Sequence, residues 1–578
     1  MDFAFADDLG ITLDLIALRT DSQPFTIHMY QHQGEFLATP CKFGNAGNAS
    51  SQFTYFFDKA RTAKTDLVLT PEYSCHWENI HAIIADQQLW PVPGKLWAIG
   101  CESITKADLG AFKTLCTAPN IIFHCEKEDL SNNKSFYDPL VYLCWCEHQG
   151  IDKLMVLVQF KTAHMGSWHS ALERDNLIEG KVIWILKNAS DSHCFMSIIC
   201  SEAMNFSREL TGQKMIDIGW NTSPYYVYHP QANPNPTFVD FIAFRRFILD
   251  TEQKEIIALN WNANSTYKKN PLIEFGTTRS GIYTQSLELD LSEHRVKTNH
   301  LNGLYYFAFG IKHHAFLLNS LAAIFQLLET RMLITGASAP QARRNGPLVL
   351  DVEICDTGSG KFSDSKREVA DSHIPFLTAA VCGCTFLMNT VACIFEKERL
   401  ICITCGELKA GLSLVEMKTL LTFNMKQDTE PNLRITIDDD SRAESKGKKL
   451  SFINSVNLLV HDIIPNKAIY PESMLHLTKQ NINIGFSKDS KLEKYKHNVI
   501  GPNGESKKTT MVIMESASDA EIEKTFDKIQ KLFDSDNENK RKVVIFYRRG
   551  ANYKAYGDPN AGSITHTNER DGANILKT

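Results

Sequence analysis

The chain lacks any strong imbalance of charge. Lysine and arginine number 61 against 67 aspartates and glutamates, so the formal net charge is only −6 over 578 residues. A near balance of this kind is typical of an ordinary solvated surface, whereas nucleic-acid-binding proteins concentrate positive charge. We therefore expect no nucleic-acid partner.

A disulfide framework and a secretory signal are also lacking. The 15 cysteines are odd in number and scattered along the chain, which is typical of a reduced intracellular protein. The first ten residues, "MDFAFADDLG", carry Asp2, Asp7 and Asp8, and they lack the basic start and apolar core of a signal peptide. These absences predict a cytoplasmic location.

One long uncharged run is present, "PFLTAAVCGCTFLMNTVACIF" at residues 375–395. It is long enough to cross a bilayer. However, it contains Pro375, Gly383 and Asn389 and lacks a basic flank or an aromatic belt. We interpret it as a buried core segment and expect no membrane association.

The length of the chain predicts two to four domains. Residues 12–300 alternate short apolar runs with polar, glycine or proline signals, which predicts an α/β domain rich in sheet. Residues 301–425 form a second module, with a helix expected over 314–332 and strands at "TVACIF" and "RLICIT". Residues 426–450 predict a polar linker, and residues 451–578 predict a small α/β module with a strand–helix–strand pattern and a loose tail.

Four reactive side chains stand at or near the ends of predicted strands. Glu72 ends "DLVLTPE", Lys161 ends "KLMVLVQFK" and Cys200 ends "FMSIIC". Glu173 lies in the loop between the last two strands. Because reactive side chains in layered α/β proteins usually sit where strands end, we expect these four to form one site.

Each of these residue types suits covalent thiol catalysis. A cysteine attacks as the thiolate, so a nearby base or cation is needed. We expect Glu72 to accept the proton of Cys200 and to deliver it to a leaving amine. Lys161, helped by a backbone N–H after Cys200, would stabilise an anionic tetrahedral intermediate. Glu173 would orient Lys161 or the incoming nucleophile, and Glu179 is an alternative for that role.

The order and intervals of Glu72, Lys161, Glu173 and Cys200 resemble those of the nitrilase, or carbon–nitrogen hydrolase, superfamily. Members of that family carry a Glu in a Pro-Glu context after one strand and a Lys that closes a later strand. A second Glu and then a Cys that closes another strand follow. The stretch "YDPLVYLCWCEHQGIDKLMVLVQFK" resembles the family's hairpin, whose second strand runs into the Lys.

The resemblance covers residues 12–300, about half of the chain, and implies a nitrilase-like αββα sandwich of four layers with mixed sheets. It implies an enzyme that hydrolyses the C–N bond of a small-molecule amide or nitrile without a metal or an organic cofactor. It also implies a homodimer or a larger homo-oligomer. The chain departs from the family pattern at Ser201, where an aromatic residue is common, and at Glu202, where Asp is usual.

Two alternatives remain open. The nitrilase-like half could be a binding or sensing module with little turnover in a multidomain protein of bacterial defence. Some bacterial defence proteins fuse a reverse transcriptase to a nitrilase-like domain, and the stretch "FADD" at residues 5–8 resembles the paired-aspartate motif of reverse transcriptases. No polymerase domain fits the chain, however, so we interpret the match as coincidence. A glutaminase half that feeds ammonia to a synthetase is disfavoured, because the C-terminal half lacks the Ser-Gly-Gly-x-Asp-Ser loop of an ATP-using partner.

Other signals are less specific. The stretch "TGSGKFS" at 357–363 lacks the first glycine of a phosphate loop and predicts a turn. A zinc site is a weak hypothesis, since zinc needs four suitably spaced ligands, and its candidate ligands are Cys382, Cys384, Cys393, Cys402 and Cys405. Weaker candidates for substrate contact are His164, His169, Trp168, Trp220, Tyr225, Tyr226, Asn260 and Asn262.

Overall fold

The computed structural model describes seventeen stretches of the chain. They are residues 1–21, 23–127, 133–165, 171–190, 192–236, 239–267, 273–275, 278–286, 293–308, 312–330, 346–365, 394–407, 443–478, 482–486, 496–501, 508–533 and 542–557. These residues divide into two compact units. The first unit holds the described residues of Met1–Tyr306 and Lys312–Glu368, and the second holds most of those that follow.

Eight strands form the first sheet of unit 1. In spatial order they are β1 (Asp2–Phe5), β12 (Val182–Leu186), β13 (Cys194–Ser197), β14 (Tyr225–Gln231), β15 (Lys254–Asn260), β18 (Gly281–Gln285), β20 (His313–Leu318) and β19 (Leu304–Ala308). β13, β14 and β15 run parallel, whereas β18 is antiparallel to both of its neighbours. The sheet is therefore mixed.

Nine strands form the second sheet. In spatial order they are β23 (Lys361–Asp364), β22 (Leu348–Asp356), β21 (Ala323–Glu329), β2 (Phe25–Gln31), β5 (Leu67–Cys75), β6 (Leu96–Cys101), β10 (Pro139–His148), β11 (Ile151–Phe160) and β8 (Ile121–Cys125). β2, β5 and β6 run parallel, and β10 and β11 form the predicted antiparallel hairpin. With these two mixed sheets, the α/β class predicted from the sequence is confirmed.

In the described part of unit 1, two small sheets and eight α-helices accompany the two large sheets. The small sheets are β17 (Ile273–Glu274), β16 (Thr266–Tyr267), β3 (Glu35–Ala38) and β4 (Phe43–Asn45), and the pair β7 (Ile104–Thr105) and β9 (Phe136–Tyr137). The helices are α1 (Ser50–Thr62), α2 (Trp77–Ala85), α3 (Lys106–Leu115), α4 (Leu172–Asn176), α5 (Ala203–Glu209), α6 (Gln213–Asp217), α7 (Val239–Asp250) and α8 (Glu293–Leu301).

The two large sheets pack face to face. Because side chains alternate along a strand, one face of β11 carries Val156 and Val158, which belong to the core cluster beneath helices α1, α2 and α3. The opposite face meets the first sheet, where the Gln159 side chain donates to the Ser197 carbonyl at 2.9 Å. On the first sheet, α7 packs on β15 and against α5. The two sheets also meet toward the carboxyl ends of β14 and β5, where the Tyr228 hydroxyl donates to the Thr70 carbonyl.

The region 314–332 was predicted as a helix, and this prediction is wrong. Residues 313–318 and 323–329 form β20 and β21, which belong to different sheets. Between them, the side-chain oxygen of Asn319 accepts from Leu321 N–H at 3.1 Å, as in an Asx turn. Because β20 pairs with β18 and β21 pairs with β2, unit 1 continues past residue 300.

Unit 2 is built on a five-stranded sheet, β24 (Asn483–Ile484), β25 (Val499–Ile500), β26 (Lys508–Met514), β27 (Val543–Arg549) and β28 (Asn552–Tyr556). Its helices are α9 (Ile394–Thr404), α10 (Ala443–Leu458) and α11 (Asp519–Gln530). β26 and β27 are parallel with α11 between them in sequence, so the strand–helix–strand pattern is present. Ser518 and Glu521 form a capping box that starts α11.

The strands predicted at "TVACIF" and "RLICIT" are corrected to a helix over the part that the structure describes. Residues 394–404 form α9, which contains a Glu-Lys-Glu-Arg segment of good helix formers ahead of the isoleucines. Cys402 packs in the core of unit 2, and the Cys405 thiol donates to the Ile401 carbonyl at 3.0 Å. The other three candidate zinc ligands lie outside the described residues.

The stretch at 357–363 is a hairpin turn between β22 and β23, as the sequence predicts. Asp356 accepts from the Gly358 N–H and the Ser359 hydroxyl, and Gly360 adopts φ of 69°. Among the described helices, none has the length and apolar character needed to cross a bilayer. The uncharged run at 375–395 lies outside the described residues except for its last two positions.

Gly100 allows β5 to bulge out of the second sheet at Glu72. The pairing of β5 with β6 shifts between Thr70 and Cys75, so the segment that includes Pro71 and Glu72 bulges out of the ladder. A Cβ at Gly100 would lie 2.2 Å from the Pro71 carbonyl oxygen and 2.9 Å from the Glu72 Cα. Only glycine allows this approach of the two backbones.

We expect Gly100→Ala to destabilise unit 1 by about 1–3 kcal/mol, because the added methyl group must push the backbone of the bulge away. The measurement is urea unfolding followed by tryptophan fluorescence, which reports on unit 1 because all eight tryptophans lie between Trp77 and Trp261. Gly110→Ala in helix α3 is the matched control, since its added Cβ meets nothing within 4 Å and should stabilise the helix by up to about 1 kcal/mol. Equal stability of the Gly100→Ala and wild-type chains would contradict this account.

Candidate active site

Glu72 reaches the interior from the bulge of β5. Its side chain is 2% exposed, and one carboxylate oxygen accepts from the Ala232 backbone N–H at 2.6 Å. The indole N–H of Trp261 donates to the Glu72 carbonyl at 2.7 Å. The next residue, Tyr73, has φ of 57°, a conformation that bends the chain sharply after Glu72. The carboxylate is thus fixed by both its own backbone and that of a neighbouring loop.

Lys161 follows directly after β11 and is equally well fixed. Its backbone N–H donates to the Asp138 carbonyl at 2.9 Å, and its carbonyl accepts from Gly180 N–H at 2.8 Å. The side chain is 1% exposed, and the ammonium donates to Glu72 Oε1 at 2.7 Å and to Glu173 Oε1 at 2.6 Å. Burial acts to lower the pKa of Lys161, but Glu173, Glu72 and Asp138 outweigh it and raise the pKa well above its ordinary value. The side chain is therefore a buried ammonium.

Glu173 lies in the short helix α4 and is 3% exposed. Besides the Lys161 ammonium, its carboxylate accepts from the Tyr73 hydroxyl at 3.0 Å and from the Met165 backbone N–H at 2.6 Å. Its alternative, Glu179, is 40% exposed at its side chain and lies 3.7 Å from His164. The structure therefore brings Glu173, and not Glu179, to Lys161.

Cys200 begins a 3-10 turn (Cys200–Glu202) just after β13. Its φ of 39° is positive, which is uncommon for a residue other than glycine and costs free energy. The carbonyl of Cys200 accepts from His229 Nε2 at 3.2 Å. Burial and the charge of Glu72 raise the pKa of the Cys200 thiol well above its ordinary value, with Lys161 acting in the opposite sense. At neutral pH the thiol is therefore protonated.

All four sequence-predicted residues line one pocket. The remaining wall is mainly apolar or aromatic and is formed by Phe36, Tyr73, Met165, Ala232, Asn233 and Pro234. Phe36 comes from the small sheet that contains β3, within an aromatic cluster that also holds Tyr73 and Trp261. A nucleophile, an acid–base group and a cation thus meet in a pocket with a largely apolar wall, a combination suited to acyl transfer.

Asp138 is a third acid beside Lys161, and the sequence reasoning missed it. It is 1% exposed, and its Oδ2 lies 3.6 Å from the Lys161 ammonium. Burial, followed by the charge of Glu72, raises the pKa of Asp138 well above its ordinary value. The antiparallel hairpin contains the signal that could have found it. Pro139 pairs with Phe160, which sets the preceding Asp138 opposite the following Lys161.

The oxygens of Glu72, Asp138 and Glu173 lie close enough together to suggest a metal site. The Lys161 ammonium, however, lies 2.7, 3.6 and 2.6 Å from oxygens of these three residues. Because the ammonium already supplies the positive charge that the carboxylates need, the geometry favours a lysine-centred site over a metal-centred one.

Glu202 is a second buried acid whose structural role was missed. Its Oε1 accepts from both the N–H and the hydroxyl of Thr162, at 2.7 and 2.8 Å, and its Oε2 accepts from Ile199 N–H at 2.6 Å. It therefore ties the residue after Lys161 to the residue before Cys200. Burial raises the pKa of Glu202 to about 7, although the hydrogen bonds from Thr162 and Ile199 act to lower it.

The weaker candidates that fall within the described residues do not line the pocket. Trp220, Tyr225 and Tyr226 are buried in the core, while Trp168 and His169 lie outside the described residues. Asn260 contributes indirectly, because its amide donates to the Asn233 carbonyl at 2.7 Å and accepts from the Asn233 N–H at 2.9 Å. Asn262 instead donates to the Ser320 carbonyl.

His229 was also missed by the sequence reasoning. It is fully buried in β14, and burial lowers its pKa to about 3, so the ring is neutral at neutral pH. The Cys200 carbonyl can only accept, so Nε2 carries the proton, and Nδ1 accepts from the Gln231 side-chain amide at 3.1 Å. This ring helps to hold the backbone of Cys200 in its strained conformation.

Comparison with known proteins gives little further information. No family model matches the chain, and no curated protein matches it. Among solved structures, glutamine-dependent NAD+ synthetase from Acinetobacter baumannii in complex with adenosine diphosphate is similar at a TM-score of 0.27 and 9% identity. The match covers 62% of this chain and 51% of that enzyme, so this chain spans about half of its length. A TM-score this low carries no argument about fold or function.

We expect Glu202→Gln to change how stability depends on pH. Since folding raises the pKa of Glu202 from 4.5 to about 7, the folded state binds this proton more tightly, and the free energy of unfolding falls as pH rises through that window. The wild-type chain should lose up to about 3 kcal/mol relative to Glu202→Gln between pH 4.5 and pH 8. Urea unfolding followed by tryptophan fluorescence at several pH values measures this difference.

The control for Glu202→Gln is Glu179→Gln, which removes an exposed carboxylate. Its stability should parallel that of the wild-type chain at every pH. A constant difference between Glu202→Gln and the wild-type chain across the same range would show that Glu202 does not titrate in this window.

Proposed function

We propose that unit 1 is a nitrilase-like αββα sandwich and that the chain hydrolyses the C–N bond of a small-molecule amide or nitrile by covalent thiol catalysis. The observation that carries the proposal is the buried Lys161 ammonium, which donates to both Glu72 and Glu173 in the pocket that Cys200 lines. The two facing sheets with helices packed on each support the fold assignment.

The first step joins the Cys200 sulfur to the substrate carbon. Because the resting thiol is protonated, a base must take its proton as the S–C bond forms, and Glu72 lies in the same pocket for this purpose. With an amide, the carbonyl oxygen gains negative charge, which the Lys161 ammonium stabilises together with the backbone N–H of Ser201. The C–N bond then breaks, and Glu72 returns the proton to the departing amine.

The second step restores the thiol. Water, deprotonated by Glu72, attacks the thioester carbon, and the C–S bond breaks as Cys200 recovers a proton. The products are a carboxylic acid and ammonia or an amine. With a nitrile, addition of the thiol gives a thioimidate, one water adds to it and ammonia leaves, and a second water hydrolyses the resulting thioester through the same groups. Every step uses Cys200, Glu72, Lys161 and water, so the reaction requires neither a metal nor an organic cofactor.

Glu173 acts as a positioning residue in this mechanism. It shares the Lys161 ammonium with Glu72 and also accepts from Tyr73 and Met165. Without Glu173 the ammonium would be hydrogen-bonded to Glu72 alone. It would then shift away from the substrate oxygen on which negative charge develops. Asp138 completes the surroundings of Lys161, and its raised pKa favours the uncharged carboxyl form. We also propose that the chain acts in the cytoplasm as a homo-oligomer, as the family resemblance implies.

We expect Cys200→Ala to abolish the release of ammonia from short aliphatic amides and nitriles, since no other group in the described pocket can form the acyl intermediate. Glu72→Gln should reduce kcat about 10²–10⁴-fold, the usual contribution of a general acid–base group. The measurements are an ammonia assay over the substrate panel and mass spectrometry of the acyl adduct on the full chain.

The matched control for Cys200 is Cys194→Ala. Cys194 is a similarly buried cysteine, 4% exposed against 3% for Cys200, and lies in β13 away from the pocket lining. Its replacement should leave turnover unchanged. Ammonia release that survives Cys200→Ala would overturn the mechanism, and binding of substrates without any turnover by the wild-type chain would favour a binding module instead.

A further inference from the structure

Asn233 carries a buried hydrogen-bond donor that the proposed mechanism does not use. The residue is 2% exposed and lines the same pocket as Cys200 and Glu72. Within the described part of the chain, no acceptor lies within hydrogen-bond distance of its Nδ2. An unpaired buried donor costs free energy, so its presence in a ligand pocket points to an acceptor that arrives with the ligand.

The orientation of the Asn233 amide is fixed by its other end. Its Oδ1 accepts from the backbone N–H of Asn235 at 2.9 Å. A backbone N–H can only donate, so the atom that faces it must be the oxygen, and the NH2 group must point the other way. The unpaired atom is therefore a true donor and not a misassigned oxygen.

Hydrogen bonds fix the backbone of Asn233 and of the residue before it. Its backbone N–H donates to Asn260 Oδ1 at 2.9 Å, and its carbonyl accepts from Asn260 Nδ2 at 2.7 Å. The preceding residue, Ala232, donates to Glu72 at 2.6 Å. Because the donor is already in place before a ligand binds, little conformational entropy is lost on binding, and the hydrogen bond contributes to affinity more fully.

The charges of the pocket restrict the ligand further. Glu72 and Glu173 both contact the single ammonium of Lys161, so acidic side chains outnumber the cation in this pocket. An additional anion on the ligand would be repelled. The acceptor that Asn233 meets is therefore better supplied by a neutral oxygen than by a carboxylate.

We propose that Asn233 binds the substrate through Nδ2 and that the substrate is a short, neutral amide whose acyl part carries a second oxygen acceptor, such as a carbonyl. This inference deepens the proposed function and rests on it. Lys161 would meet the oxygen of the reacting carbonyl, while Asn233 meets the second oxygen. A site built to pair with a polar group discriminates strongly against an analogue that lacks it.

The test uses the full chain with Cys200→Ala, so that ligands bind without turnover, and isothermal titration calorimetry with two probes. Succinamide carries a second carbonyl oxygen, and butyramide ends in a methyl group at the equivalent position. We expect succinamide to bind at least tenfold more tightly than butyramide. Adding Asn233→Leu should bring the two affinities within twofold, chiefly by weakening succinamide.

Asn233→Asp provides a matched variant that reverses the polarity of the site. It keeps an oxygen to accept from Asn235 and replaces the donor by an acceptor. We expect it to prefer β-alaninamide, which carries an ammonium at the position of the second carboxamide, over succinamide.

Equal binding of succinamide and butyramide by the Cys200→Ala chain would overturn the proposal even if neither Asn233 variant folds. Failure of both probes to bind would overturn it as well.

The outcomes separate this inference from the proposed function. Ammonia release by the chain with Cys200 intact, without any preference for succinamide over butyramide, would leave hydrolysis standing and overturn the role of Asn233. Binding that depends on the second oxygen and on Asn233, without ammonia release from any amide or nitrile, would support the recognition and overturn the hydrolysis.

Discussion

The structure of the proposed site depends on one buried ammonium. Lys161 is removed from water, and a buried charge of this kind is tolerated only when oppositely charged groups surround it. The ammonium donates hydrogen bonds to Glu72 of β5 at 2.7 Å and to Glu173 of α4 at 2.6 Å. Asp138, ahead of β10, lies a little farther away. Glu72 lies 89 residues from Lys161 in the chain, so the tertiary structure is needed to bring these two charges together.

Backbone constraints around this ammonium fix the other groups. The bulge of β5 against Gly100 aims Glu72, and a positive φ at Cys200 turns its thiol into the same pocket. His229 and Glu202 hold the turn that contains Cys200. Strained or bulged backbone costs free energy and persists only where surrounding contacts enforce it. Here the contacts also bring the Cys200 thiol, the Glu72 carboxyl group and the Lys161 ammonium to one pocket, so the strain serves the arrangement of the site.

Much of the secondary structure could be predicted from local patterns, and the failures have a common cause. Apolar runs and turn signals predicted the sheet-rich α/β class of unit 1 and the strand–helix–strand pattern of unit 2, and the family resemblance predicted the β10–β11 hairpin. The patterns failed at 314–332 and at 394–404, where short apolar runs fit either a strand or a helix. The pairing of β21 with β2 decided the first case. In the second case the segment is a helix, and its residues Cys402 and Ile403 pack in the core of unit 2. The pairing of strands that are distant in sequence cannot be predicted from the spacing of apolar residues within one short segment.

The amino-acid sequence by itself determined which reactive residues stand at the ends of strands and in what order, because strand ends follow from local apolar runs and the residues that interrupt them. Only the tertiary structure decided what surrounds those residues. Asp138 joins Lys161 through the register of a hairpin, Tyr73 reaches Glu173 across the pocket, and Asn233 is oriented by Asn235 and Asn260. These neighbours set the charge and hydrogen-bonding character of the pocket. They depend on strand register and on contacts between segments far apart in the chain, which local sequence does not specify.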